Sequence, residues 1–211
     1  MSSLVDVLGV VAASLKDRAD ELNRLDAAAG DGDLGVTVTT AGEAVNRLLP
    51  SLEGKVLSDV LNACGVAISK EAPSTSGTLL ATGLMGAARA ASESSSSGAE
   101  ELAELLAASQ AAIAKRGKAE LGWKTMLDAL APAAQAATTS AQEGATLVEA
   151  LDAAAEAADR GAQATRSMVP RLGRAGWLAE RSAGHEDAGA RMVAIILGSA
   201  ADANRSPGNA G

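Results

Sequence analysis

The sequence predicts an all-α fold, a single domain of about eight antiparallel amphipathic helices. Three observations predict it. Apolar residues recur at helical spacing through most of the chain. No stretch alternates apolar and polar residues as a half-buried strand does. The aromatic residues are two tryptophans, with no Phe and no Tyr. A core limited to Ala, Leu, Val, Ile and Met favours close helix–helix packing over a thick sheet sandwich.

The elements follow in order. Leu4, Leu8, Val11 and Leu15 form one face of a first helix. Leu57, Val60, Leu61, Cys64 and Ile68 mark another, as do Leu102, Leu105, Leu106, Ala112 and Ile113, and then Leu147, Val148, Leu151, Ala154 and Ala158. Turn residues separate these segments: Pro50-Ser51, Glu53-Gly54, Ala72-Pro73-Ser74, the Ser94 to Gly98 run, Gly117, Gly122 and Gly144. Helices of roughly 15–20 residues joined by short loops favour antiparallel neighbours. Arg205-Ser206-Pro207-Gly208 ends the last helix, and residues 203–211 read as a frayed tail.

Composition removes several function classes. A net charge of −8 argues against a nucleic-acid face and against adsorption to anionic membranes. One cysteine, Cys64, forms no internal disulfide, and no signal peptide or membrane span is evident, so the chain reads as cytoplasmic. The single histidine, His185, rules out a histidine-rich zinc site, and nothing around it resembles a nucleophile elbow. Chemistry must rest mainly on carboxylates, backbone amides and Arg or Lys.

Two connections break the helical pattern: Asp26 to Gly35, and about Ala164 to Glu186. Long loops in a helical domain tend to be functional. The first carries Asp26, Asp31 and Asp33, glycines at 30, 32 and 35, and no cation. Glycines allow the loop to curl until the carboxylates converge, and converging carboxylates repel unless a cation sits among them. Hard oxygen ligands without Cys or His suit Mg²⁺ or Ca²⁺ and not zinc. A helix starting near Gly35-Val36-Thr37 would aim its amides at an anion beside the metal. The same residues also fit a plain polar turn with Asp33 as an N-cap.

Four segments carry a family resemblance. Asp26-Ala-Ala-Ala-Gly-Asp31-Gly-Asp33-Leu-Gly35 resembles the D-x-x-x-G-D-G-D-x-G signature of dihydroxyacetone kinase L subunits. Thr75-Ser76-Gly77-Thr78-Leu79 resembles that family's S-G-P-L turn, and Lys124 to Ala133 resembles its K-T-M-L-D-A-L-x-P-A. Gly173-Arg174-Ala175, Glu180-Arg181-Ser182 and Asp187-Ala188-Gly189-Ala190 resemble its last motif. Leu34, Thr37, Thr78, Trp123 and Ala188 depart from the usual His, Asn, Pro, Asp and Pro.

The resemblance implies a barrel of eight antiparallel helices with nucleotide at one end. It implies Asp26, Asp31 and Asp33 as ligands of two Mg²⁺ ions. Leu34, Gly35, Val36 and Thr37 would line the phosphates. Thr75 and Ser76 would meet the nucleotide, and Gly117 and Met126 would border the adenine or ribose. Arg174, which could stabilise charge, and Asp187, Ala188 and Gly189 would close the site. The implied ligand is ATP or ADP, and the implied partner is a K-type subunit that holds the ketose. The donor is either ATP, which the departures favour, or a phosphotransferase-system protein that recharges bound ADP. A nucleotide-loaded regulatory or interaction subunit without turnover is the alternative role.

Overall fold

A computed structural model describes residues 3–172 and 182–205 of the chain. Among them are nine α-helices and no strand: α1 (Leu4–Asp17), α2 (Ala19–Ala27), α3 (Leu34–Leu52), α4 (Leu57–Glu71), α5 (Thr75–Glu93), α6 (Ala99–Gly117), α7 (Leu127–Gln142), α8 (Leu147–Ala164) and α9 (Ala188–Arg205). A 3-10 turn, Thr165–Ser167, follows α8. The expected all-α fold is therefore observed. No described helix is long and apolar enough to cross a membrane.

Eight of these helices form a closed ring. α1 packs on α3, each later helix from α3 to α8 packs on the next, α8 packs on α9, and α9 returns to α1. Cross-helix contacts set the directions. Gly9 lies by Leu49 and Gly42 by Ala12, so α1 and α3 run antiparallel. Gly83 lies by Ile113 and Gly86 by Ala112, so α5 and α6 do as well. The connections around residues 28–33, 72–74, 118–126 and 165–187 consequently gather at one end of the barrel. The tight turns at Gly54, Gly98 and Gly144 gather at the other.

Small side chains make the ring tight. Ala129, Ala133 and Ala137 on α7, and Ala150, Ala154, Ala158 and Ala162 on α8, are buried at four-residue spacing. Such a row lets two helix axes approach closely. Gly161 lets α8 come closer still to α7, because a Cβ there would lie 2.3 Å from the Asp128 carbonyl oxygen. Leucine, valine, isoleucine and methionine fill the remaining space. Leu22, Val38 and Met192 are among the fully buried residues. Side-chain caps set several boundaries: Ser3 and Asp6 form a capping box on α1, and Thr146 and Glu149 form one on α8.

Three boundaries differ from the sequence reading. Pro50 and Ser51 stay inside α3, and the chain turns at Gly54 instead. Pro50 stands in the last turn, so its missing donor removes one hydrogen bond at the end of the helix and none of the turns before it, and buried Leu52 draws that turn into the core. A short helix, α2, appears where none was expected, and Asp26 lies in its last turn. α9 continues through residues 203–205: Ala203 is buried and Arg205 pairs with Asp152 and Asp202. Residues 206–211 lie outside the described part.

Candidate metal centre

Asp26, Asp31 and Asp33 meet at the loop-rich end. One carboxylate oxygen of each lies within 4.8 Å of the others. The loop geometry explains the convergence. Asp26 Oδ2 accepts hydrogen bonds from the amides of Gly32 at 2.9 Å and Asp33 at 3.0 Å, which folds the loop back over α2. Gly32 has φ of 79°, a left-handed conformation that glycine adopts without steric cost. A Cβ at Gly30 would sit 2.8 Å from Asp26 Oδ1, so the loop packs against this carboxylate at a glycine. Burial pushes the Asp26 carboxyl upward and nearby Asp31 adds to it, while the amides of Asp33 and Gly32 oppose the shift. Asp33 is the N-cap residue of α3, yet its side chain makes no capping bond. The plain-turn reading gave that carboxylate a capping role, which it does not have. An all-oxygen, half-exposed carboxylate set without Cys or His fits a hard divalent cation.

The neighbouring helix start is locked to α2. The Gly35 amide donates to Asn23 Oδ1 at 2.6 Å. A Cβ at Gly35 would lie 2.1 Å from the Ala19 carbonyl oxygen, so only glycine permits this approach. Leu34 is buried in the core, so its side chain turns away from the loop, whereas Val36 is 62% exposed. Thr37 Oγ1 donates to Ser74 Oγ at 3.1 Å, and Ser74 Oγ accepts from the Gly77 amide at 3.0 Å. One hydroxyl thus joins the starts of α3 and α5. Thr75 and Ser76 occupy the first turn of α5 beside it.

The third and fourth motif segments meet across the same end. Gly189 lies against Met126: a Cβ on the glycine would be 3.3 Å from Met126 Cβ. Gly117, at the end of α6, faces Leu79. Ala188 is buried at the start of α9. Asp187 Oδ1 accepts from the Ala190 amide at 2.7 Å, and the Asp187 amide donates to Thr165 Oγ1 at 2.8 Å. Arg174 lies outside the described residues.

A polar knot that the sequence reading missed holds this side together. Asp128, 2% exposed, accepts the Gly122 amide and, at 2.7 Å, the Thr125 amide. Between them Lys124 has φ of 59°, an unusual backbone for a non-glycine residue, costing about 1–2 kcal/mol. The helix of this motif therefore begins at Leu127 and not at Lys124. Asn23, Ser74, Asp128 and Thr165 join the end through side-chain bonds to residues up to dozens of positions away. No local pattern announces such bonds.

Asp187 supplies a pH-dependent signature. Burial raises its carboxyl to about 7; the Ala190 amide and Lys124 pull it down, while Asp128 and Asp26 push it up. The unfolded group titrates near 3.8. Between these values the folded state holds a proton that the unfolded chain has lost. The contribution of this carboxyl to stability is thus full below about pH 4 and is lost as pH rises through about 7. Urea midpoints of the metal-free chain across that window should carry this falling component, and Asp187→Asn should remove it. An unchanged slope in the variant would show that the carboxyl is ionised throughout.

Comparisons with known proteins agree with the all-α fold. The DAK2 domain family model matches residues 28–202, starting just after Asp26. Over 179 residues, 85% of each chain, the sequence is 33% identical to the ADP-binding subunit DhaL of the PEP-dependent dihydroxyacetone kinase of Escherichia coli. It is 34% identical over 124 residues to the D-erythrulose kinase of Mycolicibacterium smegmatis, which covers 58% of this chain and 21% of that one. The crystal structure of the dihydroxyacetone kinase of C. freundii superposes with a TM-score of 0.76 at 27% identity, covering 96% of this chain. A second structure of that kinase, in complex with AMP-PNP and Mg²⁺, gives 0.74 at 26%. The chain spans 34% of the length of that kinase. With most of its length matched by the family model and by the Escherichia coli subunit, the chain belongs to the DAK2 domain family, as a DhaL-type member.

Proposed function

We propose that this chain is a single-domain L subunit of a dihydroxyacetone-type kinase, which binds magnesium with ATP or ADP and passes phosphoryl to a three- or four-carbon ketose held on a separate K-type subunit. One observation carries the reading: three carboxylates converge within 4.8 Å at the barrel end where all the motif segments with described residues also gather. The relatives lend support, being named as an ADP-binding kinase subunit and as a ketose kinase.

In this reading Asp26, Asp31 and Asp33 hold the magnesium ions. Bound magnesium would neutralise phosphate oxygens, the main demand of phosphoryl transfer. The remaining tasks fall to the chain itself. The Gly32 and Asp33 amides hold Asp26 in place as a ligand. The first turns of α3, with Gly35, Val36 and Thr37, and of α5, with Thr75 and Ser76, flank the phosphates. Leu34 contributes only backbone there, since its side chain is buried. Met126, buried against Gly189, backs the apolar wall for a base from the core side, with Gly117, Asp187 and Ala188 completing the rim. Arg174 is kept as a candidate charge stabiliser on the strength of the motif alone.

Native mass spectrometry of the purified chain with Mg²⁺ and ADP or ATP tests the reading directly. The expected species carries one nucleotide and two magnesium ions, and an unliganded spectrum under saturating ligand would overturn it. Two donor schemes fit the same residues, and the relatives named as PEP-dependent favour the second. With ATP as donor, ADP exchanges freely at each turnover. With a phosphotransferase-system donor, ADP survives gel filtration and is recharged in place.

Supplying the partner makes a further prediction. Alone, the chain should phosphorylate neither dihydroxyacetone nor erythrulose; mixed with a cognate K subunit, it should phosphorylate one of them in a coupled assay. Turnover by the chain alone would refute the two-subunit scheme. A nucleotide-loaded mixture that stays inactive would favour the regulatory role.

A further inference from the structure

Lys124 is the one buried lysine of six; the other five are exposed. Its ammonium donates to the backbone carbonyls of Ser182 at 2.7 Å and Met168 at 3.3 Å, and the charge of Asp187 acts on it through space. Met168 closes the 3-10 turn after α8, and Ser182 precedes the turn into α9. Three backbone amides make further ties in parallel. The Arg171 amide donates to the Trp123 carbonyl, the Gly184 amide to the Arg166 carbonyl, and the Asp187 amide to Thr165 Oγ1. Residues 122–125, 165–171 and 182–187 are thereby knitted around Lys124, and the Arg166–Glu186 ion pair adds a tie between the last two segments.

We infer that Lys124 is a positioning residue, whose ammonium fixes the Met168 and Ser182 carbonyls and through them seats the Asp187–Gly189 turn against Met126. The role of that seat in holding a base rests on the proposed function; the bracing itself does not. Lysine suits the task because a compact ammonium on a flexible stem offers several donors, whereas the planar fork of arginine needs a wider opening. Removing the ammonium takes a charged donor from both carbonyls; Ser182 keeps the His185 amide, so its tie to the Met168 segment is what must loosen or admit water.

The test uses Lys124→Met and Lys124→Gly in the full chain. Both should keep the helical circular dichroism. Hydrogen exchange at the Arg171, Gly184 and Asp187 amides should accelerate by about tenfold or more in each, as a lost charged hydrogen bond predicts. Affinity for Mg·ADP should fall by about tenfold or more, while Mg·pyrophosphate, which lacks the base, should bind as before. The glycine variant accepts the left-handed backbone without strain, so recovery there would assign the effect to the turn and overturn the inference. Unchanged exchange, or equal losses for ADP and pyrophosphate, would overturn it too. If both variants fail to fold, acetylation of the wild-type chain decides: Lys124 should react no faster than the Gly184 and Asp187 amides exchange. Labelling at the rate of the exposed lysines refutes the bracing. A wild-type chain that binds no Mg·ADP defeats the proposed function, and the exchange data still decide the bracing.

Discussion

Asp31→Asn should abolish tight Mg·ADP binding and leave the barrel intact. The side chain is exposed, so its replacement removes ligand charge and nothing from the core. Changes outside the first ligand shell of a metal cost about 10–100-fold in affinity. Loss of a direct carboxylate ligand should therefore cost at least about 100-fold, or about 2.7 kcal/mol. Two measurements check it. Calorimetry should show the weakened binding. The wild-type melting temperature should rise with Mg·ADP, by about 2.7 kcal/mol of added stability at one hundred times the dissociation constant, and the variant should lose that rise. EDTA should abolish it in the wild type. Equal affinity in the two proteins would remove the metal assignment.

The second large effect lies a few residues away. Gly35→Ala places a Cβ 2.1 Å from the Ala19 carbonyl oxygen and 2.7 Å from Asn23 Oδ1. Both neighbours are held by α2, so relief requires α2 and α3 to separate. Overpacking of this kind costs about 1–3 kcal/mol, and backbone contact puts this case at the upper end. Because Asn23 and Gly35 anchor the helix beside the carboxylates, magnesium affinity should fall as well. Gly198→Ala is the control. It lies inside α9 with nothing within 4 Å of the added methyl, and it should stabilise by about 0.5–1 kcal/mol through helix propensity. Urea denaturation of the pair should move the midpoint in opposite directions. A Gly35→Ala protein as stable as the wild type would show that the two helices are not so close.

The helices were legible because their signal is local. Leu57, Val60, Leu61, Cys64 and Ile68 repeat at helical spacing, and four of these are buried on α4. The acidic loop was legible for a related reason: three carboxylates and three glycines within ten residues admit few structures. The signal weakened where a competing tertiary effect decided. Pro50 reads as punctuation, yet the burial of Leu52 keeps its turn helical. Leu34 reads as part of a phosphate cradle, yet its side chain answers to the core. The Lys124 knot was out of reach, because its acceptors lie 44 and 58 positions away. Asn23 is the nearest miss. It stands twelve residues before Gly35, on a short helix too brief to show periodicity.

The even number of ring helices has a consequence for how the module can be attached. α1 enters and α9 leaves at the end opposite the acidic loop, and the two helices are neighbours. Both described ends of the chain therefore emerge side by side, one helix length from the carboxylates, about 28 Å for a helix of 19 residues. Tethers, tags or further polypeptide joined at either end start from the remote face. They can be exchanged, or tied to each other to make a circular permutant, without crowding the mouth. Such a layout behaves as a cartridge that can be mounted from behind on different carriers. Labels for immobilisation or single-molecule work on this chain belong on that face.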